Sequence, residues 1–554
     1  MIKDLLAKKL SDTLDFQVEL SSSSRFGDIC LPPALINDIV DKTGKTGEQL
    51  FREVEAILSA EGFVDRVEYI GGFINLYLSK KAYLQELGEI INTDSYLYNQ
   101  ENSSKTVIFD YSSPNIAKPF SVGHLRSTII GQANYNIHKS LGYQTVGINH
   151  IGDWGTQFGK LIVAIKKWGD EGKIKDDPIT QLNELYVKFH AESEKDPSLE
   201  DEARAWFKKL ENGDDEARTI WQMCVNESFK EFKRIYGVLG VEIDEVMGES
   251  VYEDKLEEVV EELERNNLLQ DSQGAKIVEI EGMPPALIKK KDGATLYITR
   301  DLSAVKYRMS KYSPEKIIYH VGNDQSLHFK QLEAIAVKLG WIKKGQIVFA
   351  GHGMIRLPEG KMSTRSGRVV LLDELIEKAK EKAMGIIDDK GTIATNVERL
   401  CEDIAISAIK YADLSQNRKS DAIFSFDKMI SLKGNSSVYL QYTLSRINSI
   451  EKNAKEEFGD FIQEAHIDED SILLAKILIK FHEAVENSAA SSSPNVLADF
   501  TYKLANEFNS LYEKKKVIAE TKEETSKNLF VVFVTKNVLE KCFDLLGVSK
   551  IERI

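Results

Sequence analysis

Two stretches of this chain concentrate residues able to act on phosphate. Residues 110–128 read DYSSPNIAKPFSVGHLRST, and residues 360–367 read GKMSTRSG. In the first, Gly123 allows close backbone approach, and His124 stands at the start of a helix whose N-terminal dipole and free N–H groups favour phosphate. In the second, a glycine-flanked loop presents Lys361, Arg365 and hydroxyls, which suits a triphosphate whose negative charge grows as its α-phosphorus is attacked. A Gly-His pair alone is more often a turn and a cap, and such a loop alone is more often solvated surface. Their joint order and spacing point to a nucleoside triphosphate. A third stretch, TGKTG at residues 43–47, lacks the glycine that P-loop spacing requires and reads as a surface turn.

These groups need a frame to hold them. TVIFD at residues 106–110 is a short apolar strand. After the Pro-containing loop comes a helix over about residues 125–141, whose Leu125, Ile129, Ala133, Ile137 and Leu141 recur every four residues and form one buried stripe. A second strand at residues 145–149 completes a β-loop-α-β unit of Rossmann type. Strands at residues 316–321 and 346–351 extend a parallel sheet, so GKMSTRSG lies beyond the last strand, where such sheets bind ligands. The helical, acidic stretch over residues 165–269 reads as an insertion between the halves of the sheet. Before the first strand, residues 1–95 read as a small α+β domain with strands near residues 67–70 and 73–78, and the polar residues 94–105 as a linker. From residue 371 the pattern is almost wholly helical, which predicts a C-terminal bundle.

Composition bounds the answer without naming it. A chain of 554 residues exceeds what one core organises, so roughly 100 to 200 residues per domain predicts about three to five domains. No run approaches ~18 uncharged apolar residues and the start is amphipathic, so a cytoplasmic protein without membrane attachment is expected. Cys30, Cys224, Cys401 and Cys542 lie far apart with no CxxC pair, which argues against disulfides and against zinc. The net charge of -15 is adverse to nucleic acid, yet much of the acid sits in one segment, residues 192–216, leaving room for a basic face elsewhere.

Longer strings narrow the field. FDYSSPNIAKPFSVGHLRSTIIG, NHIGDWGTQFGKLI, TLYITRDLSAVKYR, YHVGNDQSLHFKQL and KMSTRSG together closely resemble the arginyl-tRNA synthetases, with the two phosphate stretches similar to the HIGH and KMSKS signatures of class I. The likeness extends to both ends, through FGDI and GGFINLYL near the start and SSVYLQYTLSRINSI near residue 436. It implies an α/β fold: a Rossmann-like class I synthetase catalytic domain over 106–370 with its insertion, an N-terminal α+β tRNA-contacting domain over 1–95, a connecting helical region over 371–435, and a C-terminal all-α anticodon-binding bundle over 436–554. It implies ATP with Mg²⁺, arginine and tRNA(Arg) as partners, no zinc, a monomer, and a need for tRNA even in the first step.

The same resemblance assigns residues. His124, Lys361 and Ser121 are implied as catalytic. Gly123, His124, His352, Lys361, Met362 and Ser363 fall at ATP-binding positions, and Asp110, Asn115, Tyr297, Asp301, Gln325 and His150 at arginine-binding ones. Asp153 and His320 are further candidates to line the pocket. A guanidinium is best held by carboxylates and a phenol, and Tyr297 and Asp301, four apart, share a face if they are helical. Read alone, Asp301 is a helix N-cap. Two positions depart from the family: Ser121 stands where its HIGH motif usually begins with His, and Thr364 replaces the second lysine of KMSKS. A hydroxyl still donates a hydrogen bond but carries no charge. Other class I synthetases and an inactive RNA-binding relative are the rival readings.

Overall fold

Val107, Ile108 and Phe109 are buried on both faces of their strand, the condition of a parallel strand between two helical layers. In this computed structural model, which describes residues 1–554 except 23–25, 292–294, 357–370, 391–395, 461–462 and 553–554, that strand is β1 (Thr106–Asp110). It lies at the centre of a five-stranded parallel sheet with β2 (Gln144–Asn149), β3 (Glu245–Val246), β4 (Lys316–Tyr319) and β5 (Ile347–Phe349). The spatial order β3-β2-β1-β4-β5 reverses direction between β1 and β4, which is the switch point where a doubly wound sheet opens a crevice. There Asp110 pairs in register with Tyr319.

The two faces of the sheet feed two cores. Val107 and Phe109 face helix α1 (Val122–Ser140), where the expected stripe of Leu125, Ile129, Ala133, Ile137 and Leu141 is fully buried. Ile108, Ile148, Ile317 and Ile347 face the other way, onto α2 (Tyr297–Tyr312) and α3 (Ser326–Lys338). Gly131 lets α1 press onto the strand end, since a Cβ there would overlap the Tyr111 side chain.

The flanking parts follow the sequence with three differences. The first residues form an antiparallel four-stranded sheet under helices, including strands Val64–Ile70 and Phe73–Leu78. TGKTG is a turn there, with Gly44 left-handed and Thr46 capping the next helix. Residues 94–105, expected as a linker, instead contain a short helix and a 3₁₀ turn capped by Asn92 and Asn99, with Leu97 buried and Asn102 bonded to the Leu141 carbonyl. Local asparagine caps can order a segment that has no apolar period. The stretch 165–269 is not one insertion, because β3 returns to the sheet within it. Beyond it lies an unexpected antiparallel sheet of Leu269–Ser272, Ala275–Val278 and Ala286–Lys289, turned at Gln273 and Gly274, both at positive φ. Past residue 371 the described residues are mainly helical, with Ala422–Ile423 as a two-residue strand, and include α4 (Val397–Leu414), α5 (Phe481–Ser491) and α6 (Asn495–Lys514). One continuous apolar cluster joins the N-terminal domain, α1 and these helices.

Across that junction runs a fully buried ion pair. Arg126, one turn into α1, donates from Nε to both carboxylate oxygens of Asp413 on α4 (2.9 and 3.1 Å) and from Nη1 to the Ser420 carbonyl (2.7 Å). Burial pushes the Asp413 carboxyl up, and Arg126 offsets this only in part. Removing one partner of such a pair strands the other charge, at a cost of about 3 to 5 kcal/mol, whereas replacing both by apolar groups is often neutral. Asp413→Leu should therefore lower the denaturant midpoint sharply, and Arg126→Met with Asp413→Leu should recover most of it, as read by equilibrium unfolding.

Candidate functional site

The loop leaving β1 is held in an unusual shape. Ser112, Ser113 and Ala117 all adopt positive φ, a conformation that persists for such residues only where the surroundings enforce it. They do so here: Ser127 Oγ, Asn149 Oδ1 and Ser228 Oγ accept from the N–H groups of Ser112, Ser113 and Ala117. Behind them Tyr236 bonds Ser112 and Asn149, and Thr128 donates to Ser112. The loop walls a cavity of about 690 Å³ over the carboxyl ends of β1, β4 and β5. Asn115, Ser121, Gly123, His124, Gln325 and His352, all singled out in the sequence, line it together, and His320 joins them.

Two imidazoles in this cavity are neutral for the same reason and opposite in sense. Burial holds both His124 and His352 down to about 4, with Lys118 adding to the effect at the first and Arg126 and Arg418 at the second. Ser121 is the N-cap of α1, and its backbone N–H donates to His124 Nδ1 at 3.1 Å. A backbone N–H can only donate, so the His124 proton sits on Nε2 and that edge is a donor. His352 Nδ1 lies 3.0 Å from the Gly353 carbonyl. A carbonyl can only accept, so Nδ1 carries the proton and the buried, unpartnered Nε2 is an acceptor. The cavity thus offers a neutral donor at the helix N-terminus, where phosphate is favoured, and a neutral acceptor across from it.

Beside the cavity lies a cluster of acids. Asp301 is on the first turns of α2, whose N-cap is Leu296, so the capping role open to Asp301 in the sequence is not what it does. His328 Nε2 donates to its Oδ2 at 2.6 Å, and His150 Nε2 stands 3.7 Å from its Oδ1. Burial pushes the Asp301 carboxyl up, but the His328 bond and the charges of His150, His328 and Arg308 outweigh it and hold it below the ordinary range. Glu249 was not visible as a functional residue in the sequence. Its Oε2 is buried without a partner, and burial, opposed by Arg300 and reinforced by Asp301, Asp153 and Glu253, pushes its carboxyl up to about 7. Asp153 holds that turn by accepting from the Ser250 N–H and hydroxyl, which is a supporting place for a residue the sequence offered as lining. No local pattern around MGES marks Glu249; the signal is its unpaired burial.

The remaining candidates fall in different places. Asp110 is buried at the end of β1, with Oδ2 2.7 Å from Arg308 and Oδ1 accepting from Ser113, so its carboxylate is committed beneath the pocket. Tyr297 opens α2 and is 67% exposed, on the same helical face as Asp301. Lys361, Met362 and Ser363 lie outside the described residues. Among the described residues no cluster of His, Cys, Asp and Glu is arranged to hold a metal, and no helix is long and apolar enough to cross a membrane.

Comparison with known proteins agrees with this geometry. Residues 86–426 match the family described as tRNA synthetases class I (R), catalytic domain, and residues 440–554 the DALR anticodon binding domain. The chain is 39% identical over 562 residues to the arginine–tRNA ligase of Clostridioides difficile (strain 630), covering all of this chain and 99% of that one. It is 38% identical over 560 residues to that of Halothermothrix orenii, covering 98% of it. The arginyl-tRNA synthetase structure from Plasmodium falciparum superposes with a TM-score of 0.83 at 26% identity over all of this chain and 98% of that one. The Thermus thermophilus enzyme, at 21% identity, shares the fold with a TM-score of 0.83 over all of this chain and 99% of its own.

The depressed histidines predict a pH window. His124 and His352 titrate near 4 when folded and near ~6.5 when unfolded, so their contribution is whole above ~6.5 and is lost as pH falls toward 4. Glu249, raised when folded, has the opposite sign, so the measurement is a difference between proteins. The excess of the wild-type urea midpoint over that of His124→Gln should shrink between pH 7 and pH 4; a constant excess would contradict the neutral tautomer.

Proposed function

The chain belongs to the class I arginine–tRNA ligases, which join arginine to tRNA, and on that premise we propose how its residues divide the work. Arginine's carboxylate attacks the α-phosphorus of ATP, the bond to the β-phosphate oxygen breaks, and pyrophosphate leaves with arginyl-adenylate formed. A ribose hydroxyl of the terminal tRNA adenosine then takes the aminoacyl group and AMP departs. No side chain need become a nucleophile, so catalysis is positioning and electrostatic stabilisation. ATP occupies the cavity over β1, β4 and β5, with Mg²⁺ carried on its phosphates as part of the substrate.

His124 Nε2–H donates to a phosphate oxygen beside the N-terminus of α1, with Gly123 allowing the approach. His352 Nε2 accepts from a hydroxyl or amino group of the nucleoside. Ser121 adds its hydroxyl, while Lys361, Met362 and Ser363 attend the triphosphate and the departing pyrophosphate. Asp301 and Glu249 hold the guanidinium, with Tyr297 across its plane and His150 beside Asp301. Asn115 and Gln325 meet the α-amino end, and Asp110 supports the floor through Arg308. The carrying observation is a cavity with two neutral imidazoles of opposite sense whose wall residue Asn115 pairs with Gly152, next to the Ile151 carbonyl that accepts from the N–H of Glu249, a half-buried acid with an unpaired buried oxygen. The tRNA is tRNA(Arg), touched by residues 1–95 at its outer corner and by residues 436–554 at its anticodon; the enzyme is a cytoplasmic monomer. Pyrophosphate exchange and aminoacylation tested with each standard amino acid, with and without tRNA, would sink the reading if another amino acid were preferred.

Glu249 supplies the sharper test. Its carboxyl titrates at about 7, is neutral below that pH and attracts a guanidinium only above it, so the arginine KM should fall as pH rises from 6 to 8. Glu249→Gln should flatten that dependence and raise the arginine KM at pH 8 by about one to two decades, the worth of a charge-assisted bond of roughly 1.5 to 3 kcal/mol. Asp301→Asn should raise it similarly without flattening the slope, and the ATP KM should barely move in either. An arginine KM indifferent to both changes would return the two acids to a structural role.

A further inference from the structure

Between α4 and the strand Ala422–Ile423, residues 415–421 form a short irregular strap that touches several walls of the nucleotide cavity. The Ser420 carbonyl accepts from Arg126 on α1, the Lys419 carbonyl from Asn323 after β4, and the Asp421 carboxylate from the Met354 N–H and Arg356 beyond β5. The approach is close: a Cβ on Gly353 would lie 2.5 Å from the Ser420 carbonyl group.

Arg418, in the middle of the strap, faces two ways. Its Nη1 donates to the Gly351 carbonyl at 2.6 Å, while Nε and Nη2 donate to the carbonyls of Ser492 (2.9 Å) and Ser491 (3.2 Å). Its own carbonyl accepts from the Gly353 N–H at 2.9 Å. Gly351 and Gly353 flank His352, the acceptor of the cavity. Ser491 and Ser492 form the turn from α5 to α6, inside the helical region that matches the anticodon-binding family. The guanidinium is buried and, among the described residues, no carboxylate pairs with it. A charge placed out of water against neutral carbonyls alone is a costly arrangement to keep merely for cohesion. A rigid planar fork is, however, well suited to bond carbonyls of two different segments at fixed spacing.

We propose that Arg418 is a positioning residue that couples RNA binding on the helical domain to ATP binding in the cavity. When RNA sets the position of the α5–α6 turn, Arg418 carries that position to the Gly351–Gly353 segment and so to His352. The proposal rests on the reading of this cavity as the ATP site. Coupling between two sites is a ratio of affinities and is reciprocal. A tie that only stabilises the fold would leave that ratio unchanged when it is altered.

The test is the ATP Kd of the full-length protein, by equilibrium dialysis with and without saturating uncharged tRNA(Arg). In the wild type tRNA should tighten ATP by about tenfold, within the usual range of coupling, and ATP should tighten tRNA by the same factor. Arg418→Lys keeps the charge but cannot span both sets of carbonyls, and should bring the ratio close to one while the tRNA Kd without ATP stays within about twofold. Gly353→Ala, which crowds the strap from the wall side and leaves Arg418 intact, should lower the ratio likewise and serves if the lysine variant fails to fold. A wild-type ratio of one, or a foldable variant retaining the wild-type ratio, overturns the proposal. His124→Gln separates the two readings: it should weaken ATP with the ratio kept. If it leaves the ATP Kd unchanged, the cavity is not the ATP site; if it weakens ATP and Arg418→Lys keeps the ratio, only the coupling fails.

Discussion

A charge taken out of water is costly unless an opposite charge, polar neighbours or a change of protonation offsets it, and the titratable groups around the cavity show each of these outcomes. Arg126 and Arg308 lie against the buried carboxylates of Asp413 and Asp110. His124, His320 and His352 have no such partner and stay neutral. Glu249, with a single arginine opposing several acids, sits between the two outcomes. The acids around Glu249 thus outnumber the arginine that opposes them, while the His124 and His352 side of the cavity is free of imidazolium charge.

This view also settles what the serine at position 121 does to His124. The group that fixes the imidazole tautomer is the backbone N–H of residue 121, which every residue but proline supplies. The side chain there, Ser Oγ at 3.2 Å from the same nitrogen, is a second neighbour of that edge. A serine where the family usually has histidine therefore removes one ring from the start of α1 and leaves the orientation of His124 intact.

How much of this was legible in the sequence depends on the range of the interactions. TVIFD, the four-residue stripe of α1, and the shared face of Tyr297 and Asp301 are local periodicities, and they appear where the spacing put them. Asn115, Gln325 and His352 were named by the family resemblance and His124 by its place at a helix start, and the four line one cavity at the carboxyl ends of the strands. Glu249, Asp413 and Arg418 were not legible. Each matters through a partner, or the lack of one, more than fifty residues away, and no neighbouring residue reports that. Asp110 shows the same limit from the other side: the resemblance put it at an arginine-binding position, and no local pattern reports the Arg308 that pairs with it. The small sheet after β3 escaped because its strands are four residues each, too short to display alternation.

The apolar cluster that runs without a break from the first helix through α1 to the last helices has a consequence for how such a chain can be altered by evolution or by hand. Pieces that share one core cannot be exchanged as modules, because a borrowed anticodon-reading bundle would arrive with side chains shaped for another enzyme's helix. Recombination between relatives is then constrained less by the chemistry of either end than by the fit along the shared seam. Drift in RNA recognition must proceed mostly by substitutions on the outward faces of the bundle, with the inward faces held in step with the catalytic domain.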